Sequence, residues 1–223
     1  MVKLLIDTRV PYITDGEDIV VRLLVGDVSA LMADDALQAK AIAQLSPFRR
    51  EKALAIKHAR GRAQSIGASL LLDTLLREHG LCERDMNYDI GEHGKPSFVH
   101  PSSLIPYPSS FSLSHSGSLA AAAMASRPLG LDIQRITRYR PELVRRVFSA
   151  ADRQLLAAAP DEPSRQRLFA QLWSSAEAYA KATGIGLQWP FPTPPATALF
   201  HDFSIGDDYC GSLCVLAQST NMK

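Results

Sequence analysis

The chain has 223 residues, 46% of them apolar, and a formal charge of +1 from 24 basic and 23 acidic side chains. That length and apolar content suffice for one large domain or two small ones around a sizeable core. The near-neutral balance argues against a general nucleic-acid binder or a polybasic membrane binder. Residues 2–7 and 18–25 read as strands, and residues 29–45 carry Leu31, Ala36, Leu37, Ala41 and Leu45 at helical spacing. Ser46-Pro47 has the form of a helix start, Ser as N-cap and Pro at the first helical position. The helical pattern that follows runs to about residue 79, with a break expected near Gly61 and Gly80 as its C-cap. Residues 86–91 read as a strand, Gly94-Lys95-Pro96 as a turn, and 101–110, with its prolines and serines, as a loop. Residues 111–116 form a strand end entering a Ser-rich turn, and the alanine run 119–125 is ambiguous between strand and helix. Residues 129–133 are a short strand, and helices are expected at 140–148, 149–158 and 164–183, the last stopped by Gly184-Ile185-Gly186. Four prolines make 189–195 a loop, and 197–205 and 209–217 close the chain as strands. The order is α+β and roughly repeats about residue 126, giving two similar halves, 1–126 and 127–223.

Cys82, Cys210 and Cys214 lack the second Cys or His pair of a zinc site and read as reduced thiols. Residues 1–7 are too short in apolar length for a signal peptide, and no apolar run reaches the roughly 18 residues of a membrane span. A cytoplasmic protein without membrane attachment is expected.

Six basic residues, Arg49, Arg50, Lys52, Lys57, Arg60 and Arg62, fall within fourteen positions and offer an anion a local patch, or simply a solvated helix face. Gly130-Leu131-Asp132-Ile133-Gln134 alternates, so Leu131 and Ile133 share one side while Asp132 and Gln134 share the other. Gly130 permits close backbone approach. In Trp173-Ser174-Ser175-Ala176-Glu177-Ala178-Tyr179-Ala180-Lys181, Glu177 and Lys181 sit one helical turn apart. Taken alone they are also what a surface ion pair looks like. Together, Asp132 and Glu177 can hold Mg²⁺, which keeps waters and takes other ligands from substrate phosphates. Ser114-His115 invites a hydrolase reading, but neighbours in a strand face opposite ways and the Gly-x-Ser-x-Gly elbow is absent.

Five stations in order carry a resemblance to a known family. They are Ser46-Pro47-Phe48-Arg49-Arg50-Glu51-Lys52; Arg62-Ala63-Gln64-Ser65-Ile66-Gly67-Ala68; Gly94-Lys95-Pro96-Ser97-Phe98; Phe111-Ser112-Leu113-Ser114-His115-Ser116-Gly117 running on to Gly130-Leu131-Asp132-Ile133; and Val147-Phe148-Ser149 followed by Leu172-Trp173 to Gly184. Over residues 46 to 206 the chain resembles the 4′-phosphopantetheinyl transferases of the surfactin-synthetase-activating (Sfp) type. The resemblance implies a protein that moves the phosphopantetheine arm of coenzyme A to a serine of an apo acyl or peptidyl carrier protein, and the doubled length suggests a monomer. The reaction would depend on Mg²⁺ and release 3′,5′-ADP. By the same resemblance Arg49 and Lys52 hold the 3′-phosphate end of coenzyme A, with Arg62 (or Arg60, since the spacing differs) a further cation. Lys95 and Pro96 lie against the ribose region, and Ser114 and His115 contact the nucleotide and phosphates. Asp132, Glu177 and Gln134 are the metal positions, and Lys181 is the pyrophosphate lysine. Glu177, or a water at the metal, is the candidate base, with Lys181 and His115 assisting. The carrier is expected to dock on exposed apolar surface around Phe148 or Leu155 and Leu156. Two positions depart from the family pattern: Gln134 replaces a common Glu, and Ala176 a common Lys. They support the rival of a relative that binds coenzyme A or a carrier without turnover; an unrelated Mg²⁺-dependent phosphohydrolase is a third reading.

Overall fold

The structure is a computed structural model and describes residues 2–14, 17–99, 110–139 and 141–217. Its strands are β1 (Lys3–Thr14), β2 (Glu17–Asp27), β3 (Tyr88–Ile90), β4 (Pro96–Phe98), β5 (Ser110–Ser116), β6 (Leu119–Ala125), β7 (Leu129–Arg135), β8 (Ala198–Ile205) and β9 (Tyr209–Leu216). Its helices are α1 (Ser29–Ala33), α2 (Asp35–Ile42), α3 (Pro47–Ala55), α4 (Ala59–Arg77), α5 (Pro141–Val147), α6 (Ala150–Ala158) and α7 (Glu162–Thr183). The strands form an antiparallel sheet of order β1-β2-β6-β5, a second of order β7-β9-β8, and a small β3–β4 hairpin. The fold is therefore mixed helix and antiparallel sheet.

The two larger sheets face each other. Val21, Leu23 and Val25 of β2 and Ala121 and Ala123 of β6 pack against Leu129, Leu131 and Ile133 of β7 and Leu213 and Val215 of β9. On the far side of the first sheet, Leu24, Ala120, Ala122 and Met124 meet α4 through Ala63, Ile66, Leu72 and Leu76. On the far side of the second, Cys214 meets Ala178 and Ala182 of α7. The layers thus run helix, sheet, sheet, helix. This explains the alanine run: every residue of β6 is buried, odd positions toward one core and even positions toward the other, so no period-2 signal survives in composition.

Several boundaries differ from the sequence expectation. β1 runs on to Thr14 through Pro11, which is tolerated because β1 is the sheet edge. The helix expected over 29–45 splits at Asp34, whose side chain accepts from the Leu37 N–H and caps α2. The break in the next helix falls at residues 56–58, ahead of Gly61. Ser46 caps α3, its Oγ accepting from the Arg49 N–H at 3.2 Å. Apart from Ser110, which begins β5, the expected loop at 101–110 lies outside the described residues. Phe148 and Leu156, expected on an exposed docking surface, are each 3% exposed and belong to an aromatic core with Phe169 and Phe191; only Leu155 is exposed. Both had the apolar character of a surface patch in sequence, but Phe148, just past the end of α5, and Leu156, on the buried side of α6, pack into that core.

Candidate active site

The centre of the site is Asp132 on β7, only 4% exposed. The alternation of β7 sends Leu131 and Ile133 into the inter-sheet core and Asp132 toward α7. Gly130 lets α7 come close: a Cβ there would meet the Ala178 carbonyl oxygen at 1.8 Å. On α7, Trp173, Glu177 and Lys181 succeed each other at one-turn spacing and form one face. Lys181 Nζ lies 2.7 Å from Asp132 Oδ1 and 3.7 Å from Glu177 Oε2, so one ammonium serves both carboxylates. Asp132 Oδ1 also accepts from Ser114 Oγ at 2.7 Å, and Oδ2 from Ser174 Oγ at 3.2 Å. Trp173 Nε1 donates to Glu177 Oε1 at 2.8 Å. Burial, reinforced by the neighbouring Asp132 carboxylate, pushes the Glu177 carboxyl above its ordinary range.

A ladder of serines holds β7 in place. Ser110, Ser112, Ser114 and Ser116 of β5 accept through Oγ from the backbone N–H groups of Leu129, Leu131, Ile133 and Arg135, at 2.9 to 3.3 Å. The free edge of the second sheet is thereby satisfied by side chains of the first. Ser114 both receives the Ile133 N–H and donates to Asp132, which fixes the carboxylate against the sheet.

Beside this centre opens a cavity of about 340 Å³ lined by Arg49 and Lys52 of α3, Lys95 and Pro96 of the β3–β4 hairpin, and Glu177 and Lys181 of α7. Four cations and one carboxylate face it. Arg49 is 7% exposed, yet its Nε and Nη2 are buried without a hydrogen-bond partner. Three aromatic rings, Phe48, Tyr88 and Phe111, surround its Cζ at 5.7, 5.4 and 5.6 Å. Burial, and then the charge of Arg49, lowers the Lys52 pKa. Lys95 Nζ donates to the carbonyls of Leu129 at 3.2 Å and Ala182 at 3.3 Å, tying the hairpin to β7 and α7. Burial pushes its pKa down to about 8.

Six of the residues singled out in sequence, Arg49, Lys52, Lys95, Pro96, Glu177 and Lys181, therefore line one cavity, with Asp132 directly behind Lys181. The others lie elsewhere. Arg62 is occupied by Gln38 Oε1 at 3.0 Å and the Ile56 carbonyl at 3.4 Å, and Arg60 by the Gly117 carbonyl at 3.4 Å. Ser114 is buried against Asp132. His115 points the other way and is exposed along an edge; crowding around its ring and the Lys181 charge lower its pKa. Gln134 lines a second cavity of about 720 Å³ with Arg138, Tyr139, Arg146 and Trp173, and Glu177 belongs to both cavities. Residue order singles out Trp173 without its contact to Glu177, and it does not reveal the roles of Ser174 or the serine ladder. Alternate serines in 110–116 were the one available signal.

Two adjacent carboxylates and the amide of Gln134 make an all-oxygen donor set, which fits a hard divalent cation such as Mg²⁺. Among the described residues no group of three or more His, Cys, Asp or Glu could hold a metal, so such an ion would keep several positions for water or substrate oxygen. No helix among the described residues is long and apolar enough to cross a membrane.

Comparison with known proteins places these residues in a family context. Residues 128–219, which carry Asp132, Glu177 and Lys181, match the model of the 4′-phosphopantetheinyl transferase superfamily. The chain is 30% identical over 147 residues to 4′-phosphopantetheinyl transferase Sfp of Bacillus subtilis (strain 168), covering 66% of this chain and 63% of that protein. It is 31% identical over 161 residues to 4′-phosphopantetheinyl transferase psf-1 of Bacillus pumilus, covering 70% and 66%. It is 40% identical over 80 residues to 4′-phosphopantetheinyl transferase HetI of Nostoc sp. (strain PCC 7120 / SAG 25.82 / UTEX 2576), covering 34% and 33%. The matches thus span less than two thirds of the length of these relatives.

Proposed function

The chain belongs to the 4′-phosphopantetheinyl transferase superfamily, among Sfp-type relatives, and from that premise we propose that it transfers the phosphopantetheine arm of coenzyme A to a serine of an apo carrier protein. The observation that carries this reading is the shared cavity. It sets Arg49, Lys52, Lys95 and Lys181 around a space that ends at Glu177, with Asp132 directly behind Lys181. A donor with a pyrophosphate in its middle and a phosphate monoester at one end needs separated cations of this kind. The two unsatisfied nitrogens of Arg49 suit the monoester.

In the proposed reaction the carrier serine oxygen attacks the pyrophosphate phosphorus nearer the pantetheine. The new P–O bond forms as the bond to the 3′,5′-ADP oxygen breaks. The hydroxyl proton passes to the Glu177 carboxylate, the proposed general base, which reaches both cavities. Lys181 turns its ammonium from the carboxylates to the pyrophosphate and stabilises the charge that gathers there; phosphoryl transfer is mostly such positioning and charge stabilisation. Asp132, Glu177 and Gln134 would hold Mg²⁺, which when bound neutralises phosphate charge. Ser114 and Ser174 keep the Asp132 oxygens fixed. The second cavity, reaching Glu177 from the opposite side, is the proposed acceptor entrance; Arg138 and Arg146 there favour an acidic carrier surface. The division into similar halves at residue 126 belongs to the same proposal, each half contributing a sheet with one long covering helix.

The test is to supply an apo carrier, coenzyme A and Mg²⁺ and to quantify 3′,5′-ADP. Stoichiometric release that requires the carrier supports the transferase. Coenzyme A binding without release supports the binding-only relative that Gln134 and Ala176 favour.

A further inference from the structure

We propose that Phe48 is a positioning residue that sets the spacing of Arg49 and Lys52 and thereby the preference for a donor carrying a terminal phosphate monoester. The inference rests on the assignment of that phosphate to Arg49 and Lys52 under the proposed function. The two cations lie three residues apart on α3, close enough for the charge of Arg49 to lower the Lys52 pKa. Among the described residues no carboxylate lies within ion-pair distance of either. What they share is one aromatic ring: Lys52 Nζ is 5.0 Å and Arg49 Cζ 5.7 Å from the Phe48 centroid.

An aromatic face attracts a cation without cancelling its charge, whereas a carboxylate would compete with the ligand. Phe48 can therefore hold both groups in place and leave their full charge for an incoming dianion. The ring is itself held. It stacks on Tyr88 at 4.8 Å, and Tyr88 continues through Phe98 to Phe111 at 5.6 and 4.4 Å. The Tyr88 hydroxyl donates to Glu83 Oε1 at 2.7 Å. Glu83 is 1% exposed and also accepts from the Ser46 hydroxyl at 2.7 Å and the Ser46 N–H at 2.8 Å. Ser46 caps the helix that carries Phe48, Arg49 and Lys52, so the cap, the ring stack and both cations form one connected unit.

The experiment is calorimetric binding of coenzyme A and of dephospho-coenzyme A to the wild type, Phe48→Leu, Phe48→Met and Phe48→Tyr. Losing the shared ring should weaken coenzyme A about tenfold in the Leu and Met variants and leave dephospho-coenzyme A unchanged, while Phe48→Tyr should retain the wild-type preference. Equal weakening of both donors, or no weakening of either, would overturn the proposal. Arg49→Ala and Lys52→Ala separate the levels. If they abolish the preference and the Phe48 variants keep it, this inference alone fails. If they too keep it, the phosphate assignment fails with it.

Discussion

Substituting Gly130 by alanine adds one methyl group at the point where β7 and α7 touch. The new Cβ would lie 1.8 Å from the Ala178 carbonyl oxygen and 2.5 Å from the Ala182 nitrogen. Both are helix backbone, so no side-chain rotation relieves the contact, and ordinary van der Waals separation requires α7 to retreat by about 1.5 Å. Overpacking of this kind costs about 1–3 kcal/mol, with the upper end expected where backbone must move. For a chain of this size about 3 kcal/mol lowers Tm by roughly 6–12 °C. The functional effect should exceed the effect on stability. α7 carries Glu177 and Lys181 while β7 carries Asp132, and a displacement of about 1 Å can cost about 100-fold in rate. Thermal unfolding by circular dichroism and single-turnover transfer to an apo carrier, both below the variant's Tm, would measure the two effects. A Gly130→Ala protein with wild-type Tm and wild-type rate would refute the close-approach argument.

Asp132→Ala and Glu177→Ala should each leave a folded protein and reduce transfer by about 1,000-fold or more, since the proposed charge stabilisation depends on both; near-wild-type turnover of either would remove it from the site. Ser114→Ala should lower stability by about 1–3 kcal/mol, because the buried Ile133 N–H and Asp132 lose a partner, and should reduce the transfer rate while coenzyme A affinity, read by calorimetry, stays the same. Lys95 gives a pH signature: between about pH 8 and 10.5 the unfolded chain still holds a proton that the folded chain has released. Its contribution to stability therefore rises with pH across that window. Urea unfolding at pH 7.5 and 9.5 should show a gain in the wild type that is smaller in Lys95→Met, and an equal pH response in both would contradict the burial of its charge.

The parts of the site that lie on regular elements were readable from residue order. The alternation around Asp132 and the one-turn spacing of Glu177 and Lys181 each specify a face, and Gly130 announced the contact that brings the two elements together. What stayed hidden depends on partners distant in the chain. Ser114 sits 18 residues from Asp132 and reaches it only because β5 and β7 meet at the sheet junction. The cage around Arg49 collects rings from positions 48, 88 and 111. The alanines of β6 gave no period because both faces are buried. Phe148 and Leu156 had the composition of a docking surface, but neighbouring aromatics cover them. Arg62 had the right charge in roughly the right place, yet α4 turns it toward Gln38.

The most direct test of the central claim is intact-mass spectrometry of an apo carrier protein incubated with coenzyme A and Mg²⁺, with wild type and Asp132→Ala in parallel. The account predicts a mass gain of one phosphopantetheine group with wild type, lost on removing the divalent cation and lost in the variant. A carrier left unmodified by wild type, or modified equally by Asp132→Ala, would contradict it.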